Sequence, residues 1–344
     1  MSRFVTLAQG SGGKETQEIL EQLIFSSVPD ALKATPRGLG IDRPDDAAAI
    51  RVGEEYVVVT VDAYTVKPHV FPGGDIGLLA ASGTINDVLM LGGRPMAALD
   101  SIVVEEGFSR STLDSLVRSM LGVLIKEGVP LIGGDMKVMP KGQVDGIVIT
   151  TVGLGMAKKP IIDQELKVGD KILTSGYIAE HGATILAMQQ SIPPEDIDLR
   201  SDARPLTGLM LPLIERYGDA IHAARDPTRG GLAMLLNDWA RTSKKTIVVD
   251  EASIPIRETV RRYTDMLGIN PLHLASEGVA VLGVEGALAE EVLEFMRGIG
   301  FTDARVIGTV KGESSDGGIV VVRTLVGGLR VLVQPAGEIV PRIC

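Results

Sequence analysis

The clearest hydrophobic period in the chain lies in Ser111–Glu127, where Leu113, Leu116, Val117, Met120, Leu121, Leu124 and Ile125 recur every three or four residues. That spacing predicts an amphipathic helix, and Gly128 supplies the left-handed residue that closes it. Asp75–Leu91 is small or apolar on nearly every side, which predicts a buried helix with Asp75 as N-cap and Gly92-Gly93 as its end. Runs at Tyr56–Val61, Leu99–Val104, Val129–Ile132 and Gly146–Val152 predict strands. A short amphipathic helix is expected near the start, with Ile19, Leu20, Leu23 and Ile24 on one face.

Beyond Lys158-Lys159-Pro160 the alternation resumes. Strands are predicted at Lys171–Leu173, Ala220–Ala224, Val279–Val284 and Val306–Val310. Helices are predicted at Ala183–Gln189, Leu206–Arg216, Leu232–Thr242 and Leu288–Arg297, and a hairpin around Gly327-Gly328. The pattern divides the chain into a glycine-rich segment and helix (1–40), two α/β domains (41–157 and 158–333) and a flexible tail (334–344).

Composition narrows the class. Of 344 residues 45% are hydrophobic and only 3% aromatic, with 41 glycines, which suits an aliphatic α/β enzyme better than a stacking surface. A net charge of −10 argues against nucleic acid as a partner. No uncharged run reaches the ~20 residues of a membrane span, and the polar, glycine-rich start is unlike a signal peptide. A single cysteine fits a reducing compartment, and a cytoplasmic location is expected.

That cysteine is the last residue, Cys344. It has no second thiol for a disulfide or a metal cluster, yet at the end of an arm it can carry a small covalently attached group. Carboxylates beside glycines recur at predicted strand ends and loops: Asp45-Asp46, Asp62, Asp87 and Asp135. Converging carboxylates would suit Mg²⁺ bridging a nucleoside triphosphate. Asp45 or Asp46 alone would also make an Asx turn, whereas Asp87, among apolar neighbours, is costly to bury without a compensating cation or donor. Gly10-Ser11-Gly12-Gly13-Lys14 reads equally as a phosphate-wrapping loop or a flexible terminus. Asp226-Pro227-Thr228-Arg229-Gly230-Gly231 reads equally as an anion site at a helix start or as a turn in which Arg229 pairs with Asp226. The four histidines show no metal spacing, and His222 reads as a satisfied core residue. No G-x-G-x-x-G fingerprint or Walker lysine is present.

Taken in order, the stretches GSGGK (10–14), PDDAA (44–48), FPGGDIG (71–77), GTINDVLMLGGRP (83–95), GGDMKV (133–138), DPTRGG (226–231), SEG (276–278) and the terminal PRIC (341–344) resemble the HypE family of nickel–iron hydrogenase maturation proteins, within the PurM-like superfamily. The resemblance implies a two-domain PurM-like ATP-binding fold of mixed α/β (α+β) class, and a homodimer. The implied reaction is ATP-dependent dehydration of a carbamoyl group on Cys344 to a thiocyanate, which supplies cyanide to iron. Implied partners are a HypF carbamoyltransferase and a HypC–HypD scaffold. It also implies metal roles for Asp45, Asp46, Asp62, Asp87 and Asp135. Nucleotide contacts would come from Gly10, Ser11, Gly12, Gly13, Lys14, Asn86, Arg229 and Gly230, and catalytic roles fall to Cys344, Lys137 and Glu277. The competing expectations are another PurM-like kinase or synthetase, and a thiol carrier without catalysis.

Overall fold

The structure, a computed structural model, describes residues 4–192, 198–314 and 317–336. Cys344 and the expected tail from 337 onward lie outside the described residues. After a short helix α1 (Lys14–Leu20), the first half contains β1 (Ala48–Val52), β2 (Glu55–Tyr64), a small ribbon of β3 (Val70–Phe71) and β4 (Gly74–Asp75), α2 (Ile76–Met90), β5 (Arg94–Glu105), α3 (Arg110–Glu127), β6 (Leu131–Met139) and β7 (Ile147–Ala157). Five of these strands form one sheet in the order β1-β2-β7-β5-β6. Only β5 and β6 run parallel, because α3 carries the chain back between them.

The second half contains β8 (Lys171–Thr174), α4 (Glu180–Gln189), α5 (Thr207–Tyr217), β9 (Ile221–Arg225), α6 (Gly231–Ser243), β10 (Lys245–Asp250), α7 (Glu258–Leu267), β11 (Val281–Val284), α8 (Ala289–Gly298), β12 (Arg305–Glu313), β13 (Ile319–Arg323) and β14 (Leu329–Val331). Its seven-stranded sheet has the order β14-β13-β10-β12-β8-β11-β9. The two halves share a core in which Leu79 and Leu89 of α2 join Leu173, Leu206 and Leu282.

The helix α2 is the hub, and its sequence explains why. It is capped by Asp75, whose Oδ1 accepts from Leu78 N at 2.9 Å. Nearly all of its residues are buried, since the sheet covers one side and α3 and α5 the other. A Cβ on Gly77 would stand 2.0 Å from the Leu116 carbonyl, so only glycine lets α2 and α3 cross this closely. The expected face of α3 is buried through Leu116, Met120 and Leu124, and Gly128 closes it at φ 67°. The amino-terminal expectation needs correction: Leu23 and Ile24 are exposed, and the helix gives way to a wider turn at Glu21–Phe25.

One face and one edge of the first sheet remain uncovered. Val61 on β2, Met96 on β5 and Ile132, Met136 and Val138 on the edge strand β6 are all exposed. Among the described residues no helix is long and apolar enough to cross a membrane.

Candidate active site

Three elements deliver carboxylates to one point. Asp46 precedes β1, Asp87 sits on the buried side of α2, and Asp226 directly follows β9. One oxygen from each lies within 4.8 Å of the others. Thr60, in the centre of β2, places its hydroxyl 2.8 Å from Asp87 Oδ2 and 3.1 Å from the Asp46 carbonyl. Asp62, two residues along the same face of β2, adjoins Asp87 and is ion-paired by Arg229.

This cluster is electrostatically unsatisfied. Burial first, then the charges of Asp62, Asp226 and Asp46, pushes the Asp87 carboxyl well above its ordinary range. Burial also raises Asp226, reinforced by Asp46 and Asp62. Asp46 is pushed up to about 7 by burial, against the pull of Arg225. Oxygens of Asp46, Asp226 and Glu277 are buried without a hydrogen-bond partner among the described residues. Buried carboxylates left in this state are costly unless a cation neutralises them, so the donor set fits a hard divalent ion.

Two of the expected metal residues stand elsewhere. Asp45 turns away from the cluster: it accepts from Asp46 N at 2.9 Å and Asp163 N at 3.1 Å, and faces Arg225. Asp135 is an exposed residue of β6, not a loop residue, and it pairs with Lys137 at 2.7 Å. In the sheet register Asp62 opposes Thr151, Thr151 opposes Asp100, and Asp100 opposes Gly134. Three strand spacings, roughly 15 Å, thus separate Asp135 from Asp62 within one chain. Asp135 and Lys137 also fall in register with Ser101 and Val103, on the face away from α2.

Arg225 organises the rear of the site. Its guanidinium meets Asp163 at 2.8 Å, Asp46 at 3.0 Å, Asp238 at 3.5 Å and Asp45 at 3.9 Å. Burial opposes its charge, but these carboxylates outweigh burial and raise its pKa above the ordinary arginine range.

Both ends of the described chain rest on the loop after β9. Gly12 (φ 81°) lies against the Arg229 side chain, where a Cβ would come within 3.0 Å of Arg229 Cβ. Gly230 (φ 62°) lies under Pro335, where a Cβ would meet Pro335 Cγ at 2.9 Å. A cleft of about 440 Å³ opens between Gln9, Gly10, Ala63 and Thr65. Ser11 and Gly13 are buried in this segment, whereas Lys14 is exposed and 3.8 Å from Glu18. Asn86 does not face the carboxylates: its amide donates to the Arg204 carbonyl at 3.1 Å and its oxygen accepts from Leu206 N at 2.8 Å. Glu277 is buried behind the cluster, raised well above its usual range by burial and then by Asp226 and Asp202. Asp202 fixes it by accepting from the amides of Glu277 at 3.2 Å and Gly278 at 3.1 Å. His222 is a satisfied core residue, 2.9 Å from both Asp170 and Lys167.

The sequence offers Asp226 only as part of an anion site or as a turn partner of Arg229, and neither reading places it in the carboxylate cluster. The structure gives Arg229 to Asp62 instead and leaves Asp226 facing Asp46 and Asp87. The available signal was a carboxylate placed between a buried strand and a proline.

Known proteins share this arrangement of halves. Residues 44–157 match the family described as AIR synthase related protein, N-terminal domain, and residues 167–321 match the corresponding C-terminal domain. A relative named carbamoyl dehydratase HypE from Azotobacter vinelandii is 37% identical over 99% of this chain and 97% of its own. The one from Escherichia coli (strain K12) is 35% identical over 99% of both chains. The chain belongs to the HypE family. Among solved structures, hydrogenase maturation protein HypE in complex with ATP matches this HypE-family chain at 36% identity and TM-score 0.80, covering 99% of this chain and all of that one. The HypE of a HypE–HypF complex matches at 35% identity and TM-score 0.83, over 92% of this chain and 99% of that one. The two-domain PurM-like fold expected for a HypE protein is thus borne out, and it extends to a thiamine monophosphate kinase from Aquifex aeolicus that shares only the fold at 16% identity and TM-score 0.62.

Proposed function

We propose that the chain dehydrates a carbamoyl group carried on Cys344 to a thiocyanate at the expense of ATP, as part of hydrogenase maturation. The observation that carries this reading is the buried Asp46–Asp87–Asp226 cluster, flanked by the amino-terminal glycine segment and by the root of the cysteine arm. From Pro335, nine residues lead to Cys344, a span of up to about 30 Å.

The chemistry requires each of these parts. In S–C(=O)–NH₂ the carbonyl oxygen is a poor leaving group. Transfer of the γ-phosphoryl to that oxygen turns it into phosphate; the C–O bond then breaks as two N–H protons depart, giving S–C≡N, ADP and phosphate. Asp46, Asp87 and Asp226, with Asp62 beside them, would hold Mg²⁺, which supplies charge neutralisation for the transferring phosphoryl group. Gly10–Gly13 offers backbone N–H groups to phosphate, and Arg229 offers a guanidinium beside them. Glu277, whose Oε1 is buried without a hydrogen-bond partner among the described residues, accepts an N–H proton once ionised, and its raised pKa then makes it a stronger base than an exposed carboxylate. Loading of Cys344 by a HypF carbamoyltransferase, and delivery of cyanide to iron on a HypC–HypD complex in the cytoplasm, complete the proposed sequence.

The decisive experiment gives carbamoylated protein ATP and Mg²⁺ and weighs its carboxy-terminal peptide. Loss of the mass of one water from the Cys344 adduct is expected. An unchanged adduct rejects the reaction.

Lys137 and Asp135 join the site through a second copy of the chain. Their strand is an open edge, with Ile132 61% and Val138 62% exposed beside an apolar sheet face. Such an edge is stable when paired or covered. Ile132→Glu and Val138→Glu are each expected to weaken self-association at least about tenfold, measured by light scattering across a dilution series. Unchanged dimers in both variants would place the interface elsewhere.

A further inference from the structure

The carboxylate of Asp238, on the third turn of α6, takes no part in the cluster of acids, yet it collects donors from both ends of the chain. Gln17 on α1 places its amide nitrogen 2.9 Å from Oδ1 and 3.0 Å from Oδ2. Gln334, at the root of the arm, places its amide nitrogen 3.3 Å from the same Oδ1. Arg241 meets Oδ1 at 3.1 Å, and Arg225, which also grips Asp46, meets Oδ2 at 3.5 Å. The preceding residue extends the seam: Asn237 donates to its own helix at Ala233 O (2.8 Å) and to Leu332 O (3.0 Å).

These contacts duplicate, one layer deeper, the arrangement at the loop after β9, where Gly12 rests on Arg229 and Pro335 rests on Gly230. No hydrogen bond joins Gln17 to Gln334 among the described residues; each reaches the other through one carboxylate. Asp238 therefore holds α1, which follows directly on the glycine segment, and the point where the arm leaves the body. We propose that Asp238 is a positioning residue that makes the seating of the amino-terminal segment and of the arm root mutually dependent. Nucleotide held by the glycine segment then steadies α1, orders Asp238 through Gln17, and fixes the pivot of the cysteine arm through Gln334. By linkage, a seated arm strengthens nucleotide binding by the same factor. The inference rests on the proposed nucleotide role of Gly10–Gly13, and its test is kept separate from the dehydration reaction.

Because Cys344 is the only thiol, its alkylation by a small maleimide reports the arm alone. The rate is measured on the full-length protein with and without Mg²⁺ and a non-hydrolysable ATP analogue. In the wild-type chain nucleotide is expected to change the rate by about five-fold or more. Gln17→Ala and Gln334→Ala leave the buried Arg225 pairs in place, and each is expected to reduce that nucleotide effect to less than about two-fold. The double variant should be no worse than either single one, since both act through the same carboxylate. Asp238→Asn should behave likewise, and Gln334→Glu should be more severe and relieved by salt. Melting temperatures check folding, and a loss of stability alone does not erase a difference measured with and without nucleotide. A wild-type chain without any nucleotide effect overturns the proposal. So do single variants that keep the full effect, or a double variant whose losses add. Protein that shows the labelling effect but never dehydrates its adduct would retire the proposed reaction and leave the coupling standing.

Discussion

Asp87→Asn is expected to make the cation-free protein more heat-resistant while removing about 100- to 1,000-fold of its dehydration rate. Both effects come from the same crowding. Burial and three neighbouring carboxylates lift Asp87 well above the ordinary aspartate value of 3.8, and Asp46 is lifted to about 7. A carboxyl whose folded pKa is raised keeps its proton in the native state where the unfolded chain has released it. Its stabilising contribution is complete below about pH 4 and is lost as pH rises through the folded value, near 7 for Asp46. The cation-free protein should therefore melt at lower temperature at pH 8 than at pH 5. Mg²⁺ should restore stability chiefly at the higher pH, because there the ion meets ionised ligands. In Asp87→Asn the slope with pH should flatten and the Mg²⁺ effect should largely vanish. Each kcal/mol regained corresponds to roughly 2 °C for a chain of this size. Melting curves at the two pH values, with chelator or with Mg²⁺, test this. Equal Mg²⁺ stabilisation in mutant and wild type would remove Asp87 from the cation site.

Glu277→Gln is expected to lower the maximal rate about 100- to 10,000-fold with little change in the ATP concentration needed for half-saturation. The substitution preserves shape and leaves the Asp202 contacts intact, because those are made to backbone amides. It removes only the proton-accepting oxygen. A parallel rise in the half-saturating ATP concentration would instead assign Glu277 to nucleotide binding. Mixing inactive Glu277→Gln and Lys137→Ala chains adds a test of site composition. If Lys137 serves the site of its neighbour, half of the dimers are mixed and one of their two sites is whole, so about a quarter of the activity returns. Recovery of none would place Lys137 and Glu277 in the same chain's site or outside it.

The parts of this protein that a reader of the sequence can reach are those decided within a turn or two of chain. Asp75 as a cap, α3 with Gly128 behind it, and the apolar α2 each follow from neighbours a few residues away, and each is found as expected. Asp87 was legible for the same reason, as a charge stranded in an apolar helix. What the sequence could not convey is partner choice over distance. Arg229 lies three residues from Asp226 but binds Asp62, far away in sequence. Asp135 shares a glycine-rich setting with the true cluster members, yet three strand spacings separate it from them. Leu23 and Ile24 carry a helical spacing that nothing among the described residues covers. The strand β10 and helix α7 do not stand out because Lys245–Asp250 holds only three apolar residues between polar ends and Glu258–Leu267 is mostly polar.

Arg225 has a mechanical consequence. It clasps carboxylates from the loop before β1, from the stretch joining the halves and from α6 at once. Prising the halves apart would break the Arg225 pairs with Asp45 and Asp46, and losing one partner of a buried ion pair is costly. The seam between the halves is thus clasped by full charges, whereas the seam where α1 meets the root of the arm is fastened by the side-chain amides of Gln17 and Gln334.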